Sequence, residues 1–456
     1  MTWTARGAEM LMGLRITTSP LMTQAMPRRI LIVTGLYPPN APTATVRAPK
    51  FARYLVDAGH DVRVLAAQNL QFPAAVDPEI VADRILHVPY VRRGRTAPMT
   101  AADQPRPGAA AATEAPQPGG LRRLLWQLSY LPDPHVTWID PAVAAGRRLA
   151  DEWCPEVLFS TGPPHSSHIV AARLAQALGV PFVAELRDLW ADNIYGNASG
   201  IANRVDRWLE RRTLSRAAAL VAVTEGAAAI LAHRFGKPVV VAANGYDPAD
   251  FAGLDDVPPL DPDRLTIVHA GSTYKGGRSP APLFAALARL QPDPARIAVH
   301  FWGEDSAVPM AMAEAAGVAH LVTARPPIGR SEVLRIERAA DVLLLLRFAT
   351  DGERHVVAGK LYEYVGARRP ILVHGQQAGE AADIVRRHGL GLVSNDPAGI
   401  ADWLAARLEE RAAGRLADLP AGTADAYTRA GQFARVAALL AEVAGRNRAE
   451  SLPQQA

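Results

Sequence analysis

The sequence predicts an α/β protein built from two tandem doubly wound, Rossmann-like domains with a cleft between them. Three observations carry this. The chain has 456 residues, about three times the ~150 residues usual for one domain. Short β-branched apolar runs alternate with amphipathic stretches, a strand–helix–strand pattern that specifies a parallel sheet with helices on both faces. The pattern is interrupted by a Pro/Asp-rich stretch at 246–264, which has the composition of a linker.

The elements follow in order. Residues 1–27 read as a tail without a signal-peptide core, and Met22 and Met26 are alternative starts just before the first strand. That strand is the run Ile30-Leu31-Ile32-Val33, too short for a helix and branched enough for burial on both faces. Helix 46–58, with apolar Phe51, Tyr54, Leu55 and Ala58, is stopped by Gly59 at the position where a helix favours glycine. Strand 62–65 follows. Residues 92–120 are rich in Ala, Pro and Gly with no apolar period and read as a disordered insert. The next run, 121–131, is basic and amphipathic around Trp126; it fits either a helix packed on its own domain or one lying on an anionic membrane surface. Strand 157–159, helix 165–178, strand 182–186, helix 203–216 and strands 220–223 and 239–241 complete a first domain over 28–245. The second domain, 265–424, has strands at 266–269, 297–301, 341–346 and 371–373. A helical period at 425–448 and a tail at 449–456 end the chain.

Composition excludes several functions. Lys plus Arg number 49 against 45 Asp plus Glu, a net +4, too slight for wrapping nucleic acid. The single cysteine, Cys154, forms no internal disulfide and no Cys-rich zinc site, which suits a cytoplasmic location. No run approaches the ~20 apolar residues of a membrane span.

Ligands of open parallel sheets bind beyond the carboxyl ends of the strands, so the residues that directly follow strands are the candidates. Gly35, with Pro38 and Asn40 in its loop, would let a backbone approach a ligand or simply make a turn. The loop has no G-x-G-x-x-G, which argues against a dinucleotide oxidoreductase. His165 and His168 stand at a helix start, suited to recognition or proton transfer; capping by Ser166 is the alternative, and a metal site lacks a third ligand. Arg187 and Asp188 close a strand beside Trp190. In the second domain Gly271, Ser272, Lys275 and Arg278 put small residues beside two cations, chemistry suited to a diphosphate. Arg347 ends the Leu-rich strand, and Gly359-Lys360-Leu361-Tyr362-Glu363 opens a helix whose N-terminus favours an anion.

Together these segments resemble the GT-B glycosyltransferases of family 4, on Ala243-Asn244-Gly245-Tyr246-Asp247, His269-Ala270-Gly271-Ser272, and Gly359 to Tyr364 followed by Arg369-Pro370-Ile371-Leu372. The phrases Ser160-Thr161-Gly162-Pro163-Pro164 and Leu186-Arg187-Asp188-Leu189-Trp190 look most like the bacterial exopolysaccharide and surface-glycan branch. The resemblance implies transfer of a sugar, with retention, from a nucleotide-diphosphate donor to a glycan or polyprenyl-lipid-linked acceptor. It implies no cofactor beyond that donor and no metal. It places the diphosphate on the Gly271 turn with Lys275 or Arg278 and Lys360, the ribose on Glu363, and the base near Pro326, Pro327 and Ile328. It also implies that the last segment crosses back to the first domain; Gly35, Pro38 and Asn40, in the loop after the first strand, are the acceptor-side candidates. Two positions depart from the family. His355 stands where the first of two spaced glutamates is usual, with Glu353 close by, and Arg187-Asp188 replaces a His-Asp pair. Whether Arg187, His165 or His168 stabilises the reacting centre stays open. Asp261-Pro262-Asp263 lies in the linker and reads as turn chemistry. Peripheral contact with the inner membrane face would go through the Trp126 run. The rival readings are a nucleotide-sugar epimerase on the same fold and a non-catalytic nucleotide-sugar binding subunit.

Overall fold

The structure, a computed structural model, describes residues 27–451 apart from 43–44, 71, 73–75, 91–124, 126, 193–199, 275, 415–417, 421 and 424. The 92–120 insert, Trp126, Lys275 and the alternative starts Met22 and Met26 therefore lie outside the described residues. The first domain runs β1 (Arg29–Thr34), α1 (Arg47–Asp57), β2 (Asp61–Ala67), β3 (Ile85–Val88), α2 (Ile139–Glu152), β4 (Val157–Gly162), α3 (Ser166–Leu178), β5 (Phe182–Leu186), α4 (Gly200–Leu214), β6 (Ala219–Ala222), α5 (Glu225–Phe235) and β7 (Val239–Val241). The second runs β8 (Leu265–Ala270), α6 (Ala281–Leu290), β9 (Ile297–Trp302), α7 (Ala307–Ala315), β10 (Val322–Arg325), α8 (Arg330–Ala339), β11 (Val342–Leu346), α9 (Gly359–Ala367), β12 (Ile371–His374), α10 (Glu380–Arg387), β13 (Gly391–Val393) and α11 (Pro397–Ala412), before a final α12 (Arg429–Ser451).

The strands form two sheets, ordered β3-β2-β1-β4-β5-β6-β7 and β10-β9-β8-β11-β12-β13. Every pairing is parallel. Strand β1 shows why its whole run is apolar. Leu31 and Val33 enter the core beneath α2, α3 and α5, while Ile30 and Ile32 enter the one beneath α1 and α12. A strand covered on both faces has no polar side to show water. Strands β3, β10 and β13 are absent from the sequence reading for the converse reason. They are short edge strands, half-covered, and carry polar residues such as His87, Thr323 and Arg325 that break the apolar run.

The last helix belongs spatially to the first domain. Phe433, Val436, Leu440 and Val443 of α12 are buried against the first sheet, and the Phe433 ring lies 5.1 Å from that of Phe51. The two crossings between domains run side by side. Tyr246 N–H donates to Tyr427 O at 3.0 Å, and Arg429 N–H donates to Tyr246 O at 2.6 Å. Gly245 has φ +66°, and a Cβ there would lie 2.9 Å from the Tyr427 carbonyl oxygen, so only glycine fits this pairing.

A buried ion pair ties these pieces together. Arg47 of α1 donates from Nε and Nη2 to Glu185 Oε1 of β5 at 3.0 and 2.7 Å, and to the carbonyls of Ala243 and Ala242 at 2.7 and 2.8 Å. Thr161 Oγ1 donates to the other Glu185 oxygen at 2.7 Å. Burial alone would raise the Glu185 carboxyl; the charge and hydrogen bonds of Arg47, with the Thr161 bond, hold it below the ordinary carboxylate value. Arg47→Ala should therefore cost about 3–5 kcal/mol, because it strands a buried carboxylate. The double variant Arg47→Met with Glu185→Leu should recover most of that loss. Urea unfolding of the three proteins checks both expectations.

Candidate functional site

The second sheet reverses its strand order at β8, which lies between β9 and β11, and such a reversal opens a crevice beyond the strand ends. Gly271 follows β8 there. Its φ is +155°, its N–H donates to Trp302 O at 2.7 Å, and a Cβ on it would lie 3.2 Å from Lys360 Cε. The positive φ favours glycine at this turn, and the bare Cα lets the Lys360 stem pass close by. Lys360 is the second residue of α9, whose first turn has no side-chain cap. The positive end of a helix and an ammonium group converge beside the Gly271 turn, an arrangement that favours an anion.

The surroundings of Lys360 could not be read from sequence. Its Nζ stands 3.5 Å from Glu337 Oε1 of α8. Glu337 is fully buried, and its second oxygen has no hydrogen-bond partner. Burial pushes its carboxyl up to about 7, with Lys360 opposing and Glu363 adding to the rise. Beneath the turn, His269 Nδ1 lies 2.9 Å from the Leu344 carbonyl. A carbonyl only accepts, so Nδ1 carries the proton and Nε2, buried without a partner, keeps its lone pair. Burial lowers the His269 pKa to about 4 and keeps the ring neutral.

The Gly271 turn is organised from within. Asp305, just past β9, accepts from Ser272 Oγ at 3.0 Å and from Thr273 N and Oγ1 at 3.1 and 2.8 Å. The amides of Gly276, Gly277 and Arg278 donate to carbonyls of the same loop. Several N–H groups that the sequence offers to a diphosphate are thus already bonded, which leaves the side chains as its main donors. Arg278 lies 4.3 Å from the Tyr274 ring and 4.9 Å from the Phe348 ring. Glu363 is ion-paired with Arg330, which also holds Asp250 at 2.9 Å. Pro327 is exposed and Ile328 half-buried in the loop that enters α8.

Two donor-side candidates face elsewhere. Arg347 is 3% exposed and donates to the carbonyls of Gln376, Glu353 and Val356, so it braces the 351–356 turn from inside. His355 meets the first domain: a Cβ on Gly226 would fall 2.0 Å from its Nδ1, and Thr224 Oγ1 donates to its carbonyl at 3.0 Å. Beside it Glu380 accepts from the first amides of α5, Glu225 N and Gly226 N, at 2.8 and 2.6 Å. A carboxylate of one domain thus caps a helix of the other.

In the first domain the order reverses between β1 and β4. His165 and His168 sit at this end but are buried, with His165 stacked on Trp190 at 5.0 Å and His168 Nδ1 2.9 Å from Ser160 Oγ. Burial lowers both to about 3, so they are neutral at physiological pH. The α3 start is tied down by Asp133, which accepts from Ser166 N and Oγ, both at 2.8 Å. Arg187 donates to the carbonyls of Gly162 and Pro163 at 3.3 and 2.5 Å. Asp188 is half-buried, and burial raises its carboxyl against the opposing charge of Arg187. Gly35 is pressed against Pro164, Pro38 is buried, and Asn40 Nδ2 donates to Phe72 O at 2.8 Å. All three therefore shape the turn. Asp305 obeys the rule of charge after a strand and could have been found that way; Glu337, inside an apolar helix face, gave no such signal. Among the described residues no group of three or more His, Cys, Asp or Glu is placed to hold a metal ion.

Residues 43–245 match the Glycosyl transferase 4-like domain. No curated protein matches the chain in sequence. Among solved structures it is similar to a glycosyltransferase from Rickettsia africae, with 12% identity, TM-score 0.55, and coverage of 92% of this chain and 99% of that one. It is also similar to sucrose-phosphate synthase from Thermosynechococcus elongatus, with 14% identity, TM-score 0.54, and coverage of 93% and 98%. A third is a lipopolysaccharide outer core galactosyltransferase, with 13% identity, TM-score 0.51, and coverage of 93% and 100%. At such identities the likeness shows the fold, which is GT-B.

The Glu337–Lys360 contact predicts a pH dependence. Ionised Glu337 draws Lys360 inward and protonated Glu337 releases it, so pyrophosphate affinity should fall as pH rises above about 7, by up to roughly tenfold per unit for one proton. Glu337→Gln should bind with the residual slope set by pyrophosphate itself. Calorimetric titrations of both proteins from acid to alkaline pH check this.

Proposed function

We propose that the protein transfers a sugar, with retention, from a nucleoside-diphosphate donor to the hydroxyl of a lipid-linked glycan acceptor in surface-polysaccharide synthesis. The observation that carries this reading is the approach of Lys360 to Gly271 at the strand reversal of the second sheet. The match of residues 43–245 to a glycosyltransferase domain and the GT-B fold support it.

The donor diphosphate lies over the Gly271 turn against Lys360 and the first turn of α9, with Arg278 at its flank. As the bond from the sugar's anomeric carbon to the diphosphate oxygen breaks, negative charge grows on the leaving phosphate. The fixed ammonium and the helix end stabilise that charge without having to reorganise. The acceptor oxygen bonds to the same carbon, and its proton leaves with the diphosphate or to water. Asp188, half-buried two residues past β5, would meet acceptor hydroxyls. Glu363 would reach a ribose once Arg330 yields it. The contacts of His355 and Glu380 with α5 hold the two domains together around the reaction and keep water out.

Thermal unfolding with UDP, GDP, ADP, CMP and NAD comes first. One nucleoside diphosphate should stabilise the protein selectively, by about 2.7 kcal/mol at a hundredfold excess over Kd. Lys360→Ala should weaken that binding by about 2 kcal/mol, roughly thirtyfold. A response to NAD alone, or none, would sink the assignment. Gly226→Ala, whose Cβ would push the His355 ring out of its place against α5, should leave nucleotide affinity in place while lowering turnover by up to roughly a hundredfold. Turnover of a nucleotide sugar without acceptor would indicate an epimerase instead.

A further inference from the structure

Helix α4 lies on the outside of the first domain and carries a face that no described residue covers. Ile201 and Trp208 are 54% and 56% exposed, two of the few large apolar side chains among the described residues that face water to this extent. They fall on one helical stripe with Arg204, Arg211 and Arg212, all exposed, and the Arg212 guanidinium rests 5.5 Å from the Trp208 ring. The acidic residues of the helix are turned away. Asp206 is 8% exposed and accepts from Trp190 Nε1 at 2.8 Å, and Glu210 is 1% exposed and accepts from Arg234 at 2.8 Å. Arg207 is paired with Asp192. The exposed stripe is therefore cationic and apolar with no carboxylate on it.

We infer that the α4 face of Ile201, Arg204, Trp208, Arg211 and Arg212 docks the protein on an anionic lipid surface. An indole and a branched aliphatic side chain, spaced two turns apart and flanked by guanidinium groups, match the boundary between acyl chains and phosphate headgroups. Buried in that boundary, the apolar pair leaves water while the arginines meet lipid phosphates. The complementary charge is negative, because the helix shows no acid of its own. No helix of the described residues is long and apolar enough to cross a membrane, so a lipid-linked acceptor would be met by surface contact of this kind. The inference deepens the proposed function by supplying access to that acceptor, and the docking itself needs no donor.

The full-length protein is sedimented with vesicles of phosphatidylcholine alone and of phosphatidylcholine mixed with phosphatidylglycerol. It should bind the anionic vesicles selectively. Arg211→Glu with Arg212→Glu should weaken binding by at least about fivefold per arginine, and Ile201→Ser with Trp208→Ser, which leaves the charge unchanged, should weaken it as well. Arg335→Glu, an exposed change on α8 of the other domain, should leave it unaltered. Equal binding to neutral vesicles, no binding at all, or wild-type binding by both α4 variants overturns the inference. So does loss of binding in Arg122→Glu with Arg123→Glu while the α4 variants bind normally. Vesicle binding that persists in a protein without nucleotide response would separate this inference from the fate of the transferase reading.

Discussion

The Arg47–Glu185 pair is the constraint on which the rest of the first domain and its link to the second depend. One guanidinium reaches from α1 to the end of β5 and to the carbonyls of Ala242 and Ala243, where the chain leaves the first sheet. It also lies 5.5 Å from the Phe433 ring of the returning helix. A charge buried this deeply is tolerated only when every strong donor has an acceptor, and the acceptors here come from separate stretches of chain. Fixing Arg47 therefore fixes the register of helix, strand and crossover at once. The backbone pairing of Tyr246 with Tyr427 and Arg429 then extends that fixed point into the connection between domains.

Both sheets use the same device to make a site. Each reverses strand order near its middle, β1 beside β4 and β8 beside β11, and each reversal is followed by a glycine that permits close packing of the next layer. The outcomes differ because the neighbours differ. Gly35 meets the ring of Pro164, and its turn closes on itself, whereas Gly271 meets the stem of a lysine and leaves a cation at the crevice. Beneath that cation lie a buried carboxyl and a neutral imidazole, each with an unpartnered atom. Buried unpartnered atoms also occur at the reversal of the first sheet, on His165 and His168, so what sets this end of the second sheet apart is the cation beside an uncapped helix start.

The contact between domains is equally economical in its chemistry. Glu380 caps α5 across the cleft, and His355 packs where a side chain on Gly226 would collide. His355 stands out in line only as a departure from a family pattern, and Glu380 does not stand out at all. Their roles follow from two helix ends meeting, a geometry that exists only after both sheets have formed.

The sequence by itself determined the two-sheet architecture, because a strand covered on both faces must be apolar along its whole length, and runs such as 30–33 and 342–346 announce that without context. It also pointed to the ends of strands and to Lys360 at a helix start, since those depend on local order alone. It did not reveal the edge strands β3, β10 and β13, whose half-covered positions tolerate polar residues. Nor could it say which charged residues turn inward. His165, His168, Arg187 and Arg347 look like reactive groups when read in line, and the tertiary structure buries them or ties them to carbonyls. Glu337 and Arg330 look ordinary in line and become the neighbours of Lys360 and Glu363. The physical reason is the same throughout. Burial and pairing depend on residues distant in the chain, and only the folded packing decides them.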